Sequence, residues 1–374
     1  MGIEHDTLAQ KVSAVLLNGL RTSSAGNWAT ARLSSRCILW QGIADWPRPD
    51  IAFEDTVTGA TLALEFKPPN QTKREYVTGV GQMLTYLRDF EFAGLVVPEK
   101  ADDGFPIADY IERLVTTDLA DQPITLLSYD RDVSALTVRR TLIPRTSPAP
   151  QPRPRRRGTF WAYWRDLSNH DVLALLDVIY SNPAKDFPNN FRKYWAGTVL
   201  KGKALDWEGN RRVRSKGGQE VPERRNAFYS LRHCGLVSSD GKMTATGLEL
   251  LQVERVYGAD SDAFRLALAR RVLLDGGHLE LILWVEAQTR AVKPAQKKMA
   301  ADYRAAIDKE LARIGVIPPR PTQSSKPFFR DEGKLWNKLG LLHRNGRGYF
   351  YAGEGYRFDW RAIISAVRDG ARAT

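Results

Sequence analysis

The strongest constraint on this chain is a pair of short apolar runs, Asp50-Ile51-Ala52-Phe53-Glu54 and Thr61-Leu62-Ala63-Leu64-Glu65-Phe66-Lys67, joined by a turn around Thr58-Gly59. Each has strand length and is bounded by turn residues, so together they predict an antiparallel hairpin. Side chains alternate across a strand, which sends Leu62, Leu64 and Phe66 to one face and Glu65 and Lys67 to the other. Pairing the strands brings Asp50, preceded by Pro49, opposite the Glu65–Lys67 end. Two carboxylates and an amine then converge on one spot through local folding alone.

That trio has the residue types that metal-assisted phosphodiester cleavage requires. Mg²⁺ takes a few carboxylates, several waters and substrate phosphate oxygens rather than a full protein cage, so Asp50 and Glu65 are the expected ligands. The ion polarises the phosphate and lowers the pKa of the attacking water. Lys67 is expected to orient or help deprotonate that water, or to stabilise charge building on the phosphate. An arginine at 67 could not act as a base, and an amide at 50 would weaken metal binding. Alone, Glu-x-Lys is commonly a solvated strand face and Pro-Asp a turn. Their order, spacing and strand context together carry the reading.

Pro49-Asp50…Glu65-x-Lys67 resembles the PD-(D/E)xK superfamily, the restriction-endonuclease-like nucleases. The resemblance implies a core of helix, three-stranded sheet, helix and strand, and the sequence follows that order. Residues 4–20 read as a helix with Leu8, Val12, Val15 and Leu16 on one face. Residues 37–40 read as a strand ahead of the hairpin. Residues 73–89 read as the next helix, with Tyr76, Val77, Val80, Met83, Leu84 and Leu87 at helical spacing, and residues 92–97 as a buried strand. On that helix Gln82 and Tyr86 stand at i and i+4 and share a face. They resemble the Gln-x-x-x-Tyr motif of the superfamily's exonuclease branch, whose two residues lie close to the active site; packing beside Met83 and Leu87 is the other role open to Tyr86. Glu4 matches an acidic position that often supports the metal in these enzymes, and an acidic residue also suits a helix N-terminus. The resemblance covers residues 1 to 100 and says nothing specific about the rest.

Charge divides the chain. Residues 1–140 hold 14 Lys+Arg against 19 Asp+Glu, a net −5, whereas the remaining 41 and 24 give residues 141–374 a net +17. An acidic catalytic half joined to a basic half suits a nuclease whose second part grips a phosphate backbone. The seam is residues 144–157, with five prolines, five arginines and no apolar periodicity, a composition that favours an extended tether. Cys37 and Cys234 offer neither a disulfide framework nor zinc spacing. With no signal peptide and no run long enough to span a membrane, a cytoplasmic chain without membrane partners is expected.

The basic half contains two segments that resemble winged helices. In the first, residues 223–237 form a helix carrying Arg224, Arg225 and Arg232 over Phe228, Leu231 and Leu236. A turn with Lys242 and then Thr244-x-x-Gly247-x-x-Leu250-Leu251 come after it. In the second, residues 329–342 carry Arg330, Lys334 and Lys338 and lead to a hairpin at Asn345-Gly346 between Arg344 and Arg347, with residues 348–351 returning as a wing strand. Residues 278–289 and 301–314 read as supporting helices. Such a helix can enter a major groove while the wing touches backbone. These helix arginines and lysines, with Lys242, Arg344 and Arg347, and with Lys73 and Arg74 in the first half, are the expected DNA contacts. Winged helices also serve as protein-binding modules.

The expected fold is therefore α/β: a restriction-endonuclease-like mixed-sheet core over residues 1–140, a Pro/Arg-rich linker over 141–158, and a mainly α half with tandem winged helices over 159–258 and 259–374. The expected activity is Mg²⁺-dependent, sequence-specific cleavage of double-stranded DNA. Cutting and reading on separate domains resembles type IIS restriction enzymes. A restriction role implies a cognate methyltransferase, and cleaving both strands with one constellation per chain implies a homodimer. The alternatives are a structure-directed or repair nuclease of the same superfamily and a non-catalytic DNA-binding regulator.

Overall fold

The computed structural model describes residues 7–8, 11–12, 14–16, 37–39, 49–55, 57–130, 133, 135–143, 167–211, 220–314, 316, 329–346 and 348–372. Glu4, Arg347 and the Pro/Arg-rich stretch 144–157 lie outside them. The chain divides into two compact units, residues 1–156 and 157–374.

The first unit is built on one mixed sheet of six strands in sequence order. Strands β1 (Cys37–Leu39), β2 (Ile51–Asp55) and β3 (Thr61–Phe66) form an antiparallel meander. The β2–β3 register sets Ile51 against Leu64, as the hairpin pattern predicts, and Asp50 N–H donates to the Leu64 carbonyl at 3.1 Å. At the other end of the hairpin, a side-chain oxygen of the fully buried Asp55 accepts the Val57 N–H at 2.8 Å and the Thr58 N–H at 3.3 Å. Asp55 is thus committed to the turn, where Gly59 takes φ +75°.

Helix α1 (Lys73–Tyr86) links β3 to the parallel β4 (Phe92–Pro98), and α2 (Ile107–Arg113) leads to β5 (Ile124–Tyr129), parallel to β4. A sheet edge in β6 (Leu136–Arg140) runs antiparallel to β5. The start of α1 is set by Thr72, whose side chain accepts from Glu75 N–H while the Glu75 carboxylate reaches back to Thr72 N–H, a capping box. Alternation along β3 divides the residues as expected. Leu62, Leu64 and Phe66 join Phe53, Phe92, Val96 and Leu127 in one core with Leu8, Val12 and Leu16, the last three from helical positions. The opposite face meets α1, which buries Tyr76, Val80, Met83 and Leu84. At the β6 edge, the Arg140 guanidinium donates to the carbonyls of Val115, Leu119, Ala120 and Gln122 at 2.8–2.9 Å. Burial pushes its pKa down to about 10, and the four acceptors offset the cost of enclosing the charge.

The second unit is mainly helical among its described residues. Its helices are α3 (Asn169–Ser181), α4 (Phe187–Tyr194), α5 (Glu220–His233), α6 (Ala245–Tyr257), α7 (Asp262–Arg270), α8 (His278–Ala291), α9 (Ala300–Arg313), α10 (Phe329–Lys338) and α11 (Trp360–Arg372). Residues on either side of 258 belong to this one unit, and α6 packs on α7. The two segments singled out in the sequence end their helices identically. Leu236 N–H bonds back to Leu231 and Gly235 to Arg232; Leu341 bonds to Trp336 and Gly340 to Asn337. Each is a Schellman motif with glycine in the left-handed region, at φ +69° and +75°.

The segment after α5 is short, whereas after α10 Leu342 pairs antiparallel with Phe358 and closes a longer hairpin. After α5, a single antiparallel bridge joins Val237 to Met243 before Thr244 caps α6. After α10, Asn345 and Gly348 close a tight turn of their own. Residues 350–351 do not return along it; they run forward as β7 (Phe350–Tyr351) to pair with β8 (Gly355–Tyr356) around Gly353. The Asn-Gly turn forms as expected, and only the strand after it pairs elsewhere, across Gly353 and Gly355, both at positive φ and the latter pressed against the Tyr303 ring.

Gly247 has the tightest packing requirement in this region. A Cβ there would collide with the Leu236 carbonyl oxygen and lie 2.7 Å from Met243 Sδ. Gly247→Ala is expected to lower stability by about 1–3 kcal/mol in urea unfolding despite alanine's better helix propensity. Gly346→Ala, where no atom lies within 4 Å, should be near neutral. Equal effects would contradict the packing account.

Candidate active site

The carboxyl end of β3 gathers the sequence-predicted trio and both α1 residues. Asp50 stands just ahead of β2, half-buried, and its Oδ2 accepts the Phe66 backbone N–H at 2.6 Å. That bond ties the carboxylate to the residue between Glu65 and Lys67. Glu65 is 4% exposed. Lys67 Nζ donates to Glu65 Oε1 at 2.8 Å and to Gln82 Oε1 at 2.9 Å. The Tyr86 hydroxyl donates to Glu65 Oε2. Gln82 and Tyr86, one helical turn apart, therefore hold the amine and the acid respectively.

Backbone contacts fix this end of β3. Lys67 N–H donates to the Val96 carbonyl at 2.9 Å, and the Lys67 carbonyl accepts the Tyr129 hydroxyl at 2.8 Å. Tyr76 OH donates to the Pro68 carbonyl at 2.9 Å. Gly79 completes the arrangement. A Cβ there would lie 2.7 Å from Lys67 Cε and 3.1 Å from Leu95 Cδ1, so the lysine stem runs through space only glycine leaves open. The sequence pattern missed Gly79, although a glycine inside an apolar-periodic helix signals close approach. It also missed Tyr129, which belongs to a strand beyond the motif.

Electrostatics distinguish the two carboxylates. Burial raises the pKa of Glu65, the Lys67 charge opposes that rise, and Asp50 adds to it. Burial and the neighbouring Glu65 push the Tyr86 hydroxyl well above its ordinary value, so it remains a donor. The ionised Glu65 is thus disfavoured despite its amine partner, and a nearby carboxylate of like charge adds to the disfavour. Asp50 and Glu65 are hard oxygen donors of the kind that could hold a divalent cation. Among the described residues, no group of three or more His, Cys, Asp or Glu is placed to hold a metal by itself. Glu54 pairs with Thr61 at the far end of the hairpin and takes no part.

The expected DNA-contacting residues are scattered. Lys73 and Arg74 are exposed at the start of α1, Lys73 over the Phe105 ring at 4.1 Å. On α5, Arg225 and Arg232 are exposed and Arg224 half-buried; Lys242, Lys334 and Arg344 are exposed. Lys338 differs: it is half-buried and paired with Glu208. Arg330 lies in α10, and its side chain is outside the described ones. Among the described residues no helix is long and apolar enough to cross a membrane. Comparison with protein-family models gives no match, and comparison with curated proteins gives no significant one. The site's meaning rests on its geometry.

Because folding raises the proton affinity of Glu65 above its ordinary value of 4.5, the associated stabilisation is present in acid and lost as pH rises through the raised value. Glu65→Gln mimics the protonated form. It is expected to unfold at a higher temperature than the wild type at pH 8, with the gap closing on acidification toward pH 4.5. A Gln variant less stable at pH 8 would mean that the Lys67 attraction outweighs burial.

Proposed function

We propose that the chain is a Mg²⁺-dependent DNA endonuclease of the PD-(D/E)xK, restriction-endonuclease-like kind, hydrolysing phosphodiester bonds in double-stranded DNA. The observation that carries this reading is the convergence of Asp50, Glu65 and Lys67 at one strand end, with Glu65 buried and Lys67 held between two acceptors. The mixed meander-plus-parallel sheet, with helical residues on one face and α1 on the other, is the layout that core would use. Bound between Asp50 and Glu65, Mg²⁺ would supply Lewis-acid polarisation of the phosphate and a water of lowered pKa.

The chain's own residues do the rest. Asp50, anchored on the Phe66 N–H, and Glu65, anchored by Tyr86 and Lys67, hold their oxygens in fixed positions, which reduces the reorganisation needed on binding. Lys67 Nζ orients the attacking water, or faces the charge that builds on the phosphate. Water adds to phosphorus, the P–O ester bond breaks, and the leaving oxygen takes a proton. The net +17 of residues 141–374 supports phosphate contact by this half of the chain, and α5 and α10, each followed by a short antiparallel pairing, would be its winged-helix-like readers. With one such constellation among the described residues, cutting both strands would call for a homodimer. A restriction role would bring a cognate methyltransferase and a cytoplasmic setting.

A second reading has its own observation. Gln82 touches Lys67 and Tyr86 touches Glu65, the arrangement expected of the exonuclease-branch motif, which favours a structure-directed or repair nuclease. Digestion of unmethylated and methylated phage DNA, with Mg²⁺ and with EDTA, separates the two. Discrete metal-dependent bands support the restriction reading and a metal-dependent smear the second. Intact DNA in every arm overturns both and leaves a DNA-binding regulator.

Asp50→Ala and Lys67→Ala are expected to lower cleavage at least about 100-fold with DNA affinity in gel shift nearly unchanged. Gly79→Ala, which crowds the Lys67 stem, should lower cleavage at least about tenfold while the fold persists by circular dichroism. Wild-type cleavage by all three variants would contradict the assignment.

A further inference from the structure

Between α8 and α9 the chain makes a 3-10 turn, Pro294–Lys297, in a strongly basic segment. Residues 287–303 carry Arg290, Lys293, Lys297 and Lys298 against one carboxylate, Asp302. Lys293 and Lys298 are exposed and Lys297 is half-buried, and among the described residues none of these three lysines has an ion-pair partner. By contrast, Arg255 pairs with Asp177 at 3.3 Å, Arg265 with Asp262 at 2.9 Å and Arg313 with Glu310 at 2.7 Å. The turn is also held in place. Gln296 N–H donates to the Lys293 carbonyl at 3.0 Å, and Gly353 N–H, at the tip of the β7–β8 hairpin, donates to the Lys297 carbonyl at 2.7 Å. The Tyr303 ring, near the start of α9, meets the hairpin's Phe350 and Tyr356 rings at 5.6 and 5.4 Å. At the hairpin tip the Glu354 carboxylate is taken by Arg357 at 2.5 and 2.6 Å, so it does not offset the lysines.

Like charges held on one fixed surface repel, and a partner with closely spaced negative charge relieves that repulsion. The turn is tied to the hairpin that follows α10, and in a winged helix that hairpin touches the backbone while the helix enters the groove. We propose that the 293–298 turn and the tip of the β7–β8 hairpin form one phosphate-binding surface, on which Lys293, Lys297 and Lys298 contact the backbone of duplex DNA. The inference rests on the reading of this half of the chain as the DNA-binding part of a nuclease. It adds a contact surface outside α5, α10 and the turn between Arg344 and Arg347. A lipid surface fits less well: one exposed apolar side chain, Met299, borders the lysines, whereas a basic segment that binds in a lipid interface presents an apolar face to bury.

Binding of duplex DNA to the full chain, measured without metal across a range of NaCl concentrations, tests the surface independently of cleavage. Each neutralised phosphate adds about 0.9 to the steepness with which log affinity falls against log salt. The triple variant Lys293→Ala/Lys297→Ala/Lys298→Ala should therefore lower that slope by about 2–3, with affinity at low salt reduced at least about tenfold. The corresponding triple substitution to arginine should keep the wild-type slope. A control, Arg255→Ala/Arg265→Ala/Arg313→Ala, removes the same formal charge from paired sites and should change the slope by less than about 1. An unchanged slope in the lysine-to-alanine variant, or an equal fall in the control, overturns the proposal. So does lysine-dependent binding to phosphatidylserine vesicles with the duplex slope unaffected. Cleavage that persists beside an unchanged slope would remove this inference alone, and a lysine-dependent slope without Mg²⁺-dependent cleavage would remove the nuclease reading alone.

Discussion

Burial of the Glu65 carboxylate at the end of β3 is the interaction on which the first unit's site depends. A carboxylate in that position is disfavoured as an ion, and each neighbour responds to that fact. Lys67 supplies a positive charge at 2.8 Å, Tyr86 supplies a hydroxyl, and Gln82 holds the lysine from its other side. Asp50, secured on the Phe66 N–H, brings a second negative charge that raises the cost again. An arrangement that concentrates like charge in a partly desolvated place is a poor way to gain stability and a reasonable way to attract a cation.

The scaffold meets the demand for fixed positions by local means. The hairpin register brings Asp50 to Glu65, and the capped start of α1 aims the helix so that Gly79 passes the lysine stem and the next turn delivers Gln82 and Tyr86. β4 and β5 add only backbone and hydroxyl contacts, from Val96 and Tyr129, yet these hold Lys67 at both its N–H and its carbonyl. Site geometry thus comes from one hairpin and one helix, with the parallel strands as a brace.

Much of this was legible in the sequence because its signals are short-range. Alternation in residues 61–67 gave the faces of β3, and helical spacing in 73–89 gave the buried side of α1, which ends at Tyr86 rather than 89. Residues 37–39 and 92–98 pair where strands were expected. Strands β5 and β6 were not read, since their partners and the four-carbonyl clamp on Arg140 are set by contacts distant in sequence. In the second half, the Gly235 and Gly340 helix ends follow from local chemistry, whereas the strand pairing after Asn345 was decided by Gly353, Gly355 and the Tyr303 ring. Lys338 illustrates the same limit: its helix face was predictable, its partner Glu208 was not.

The central proposal is that Asp50 and Glu65 would share a divalent cation that offsets the cost of their proximity. Thermal unfolding at pH 7.5 against increasing Mg²⁺, compared between the wild type and Asp50→Ala, tests it most directly. The account predicts that the wild-type Tm climbs with Mg²⁺ by the linkage expected of binding to the folded state, and that the variant's Tm climbs far less. Equal responses, or none in the wild type at millimolar Mg²⁺, would contradict it.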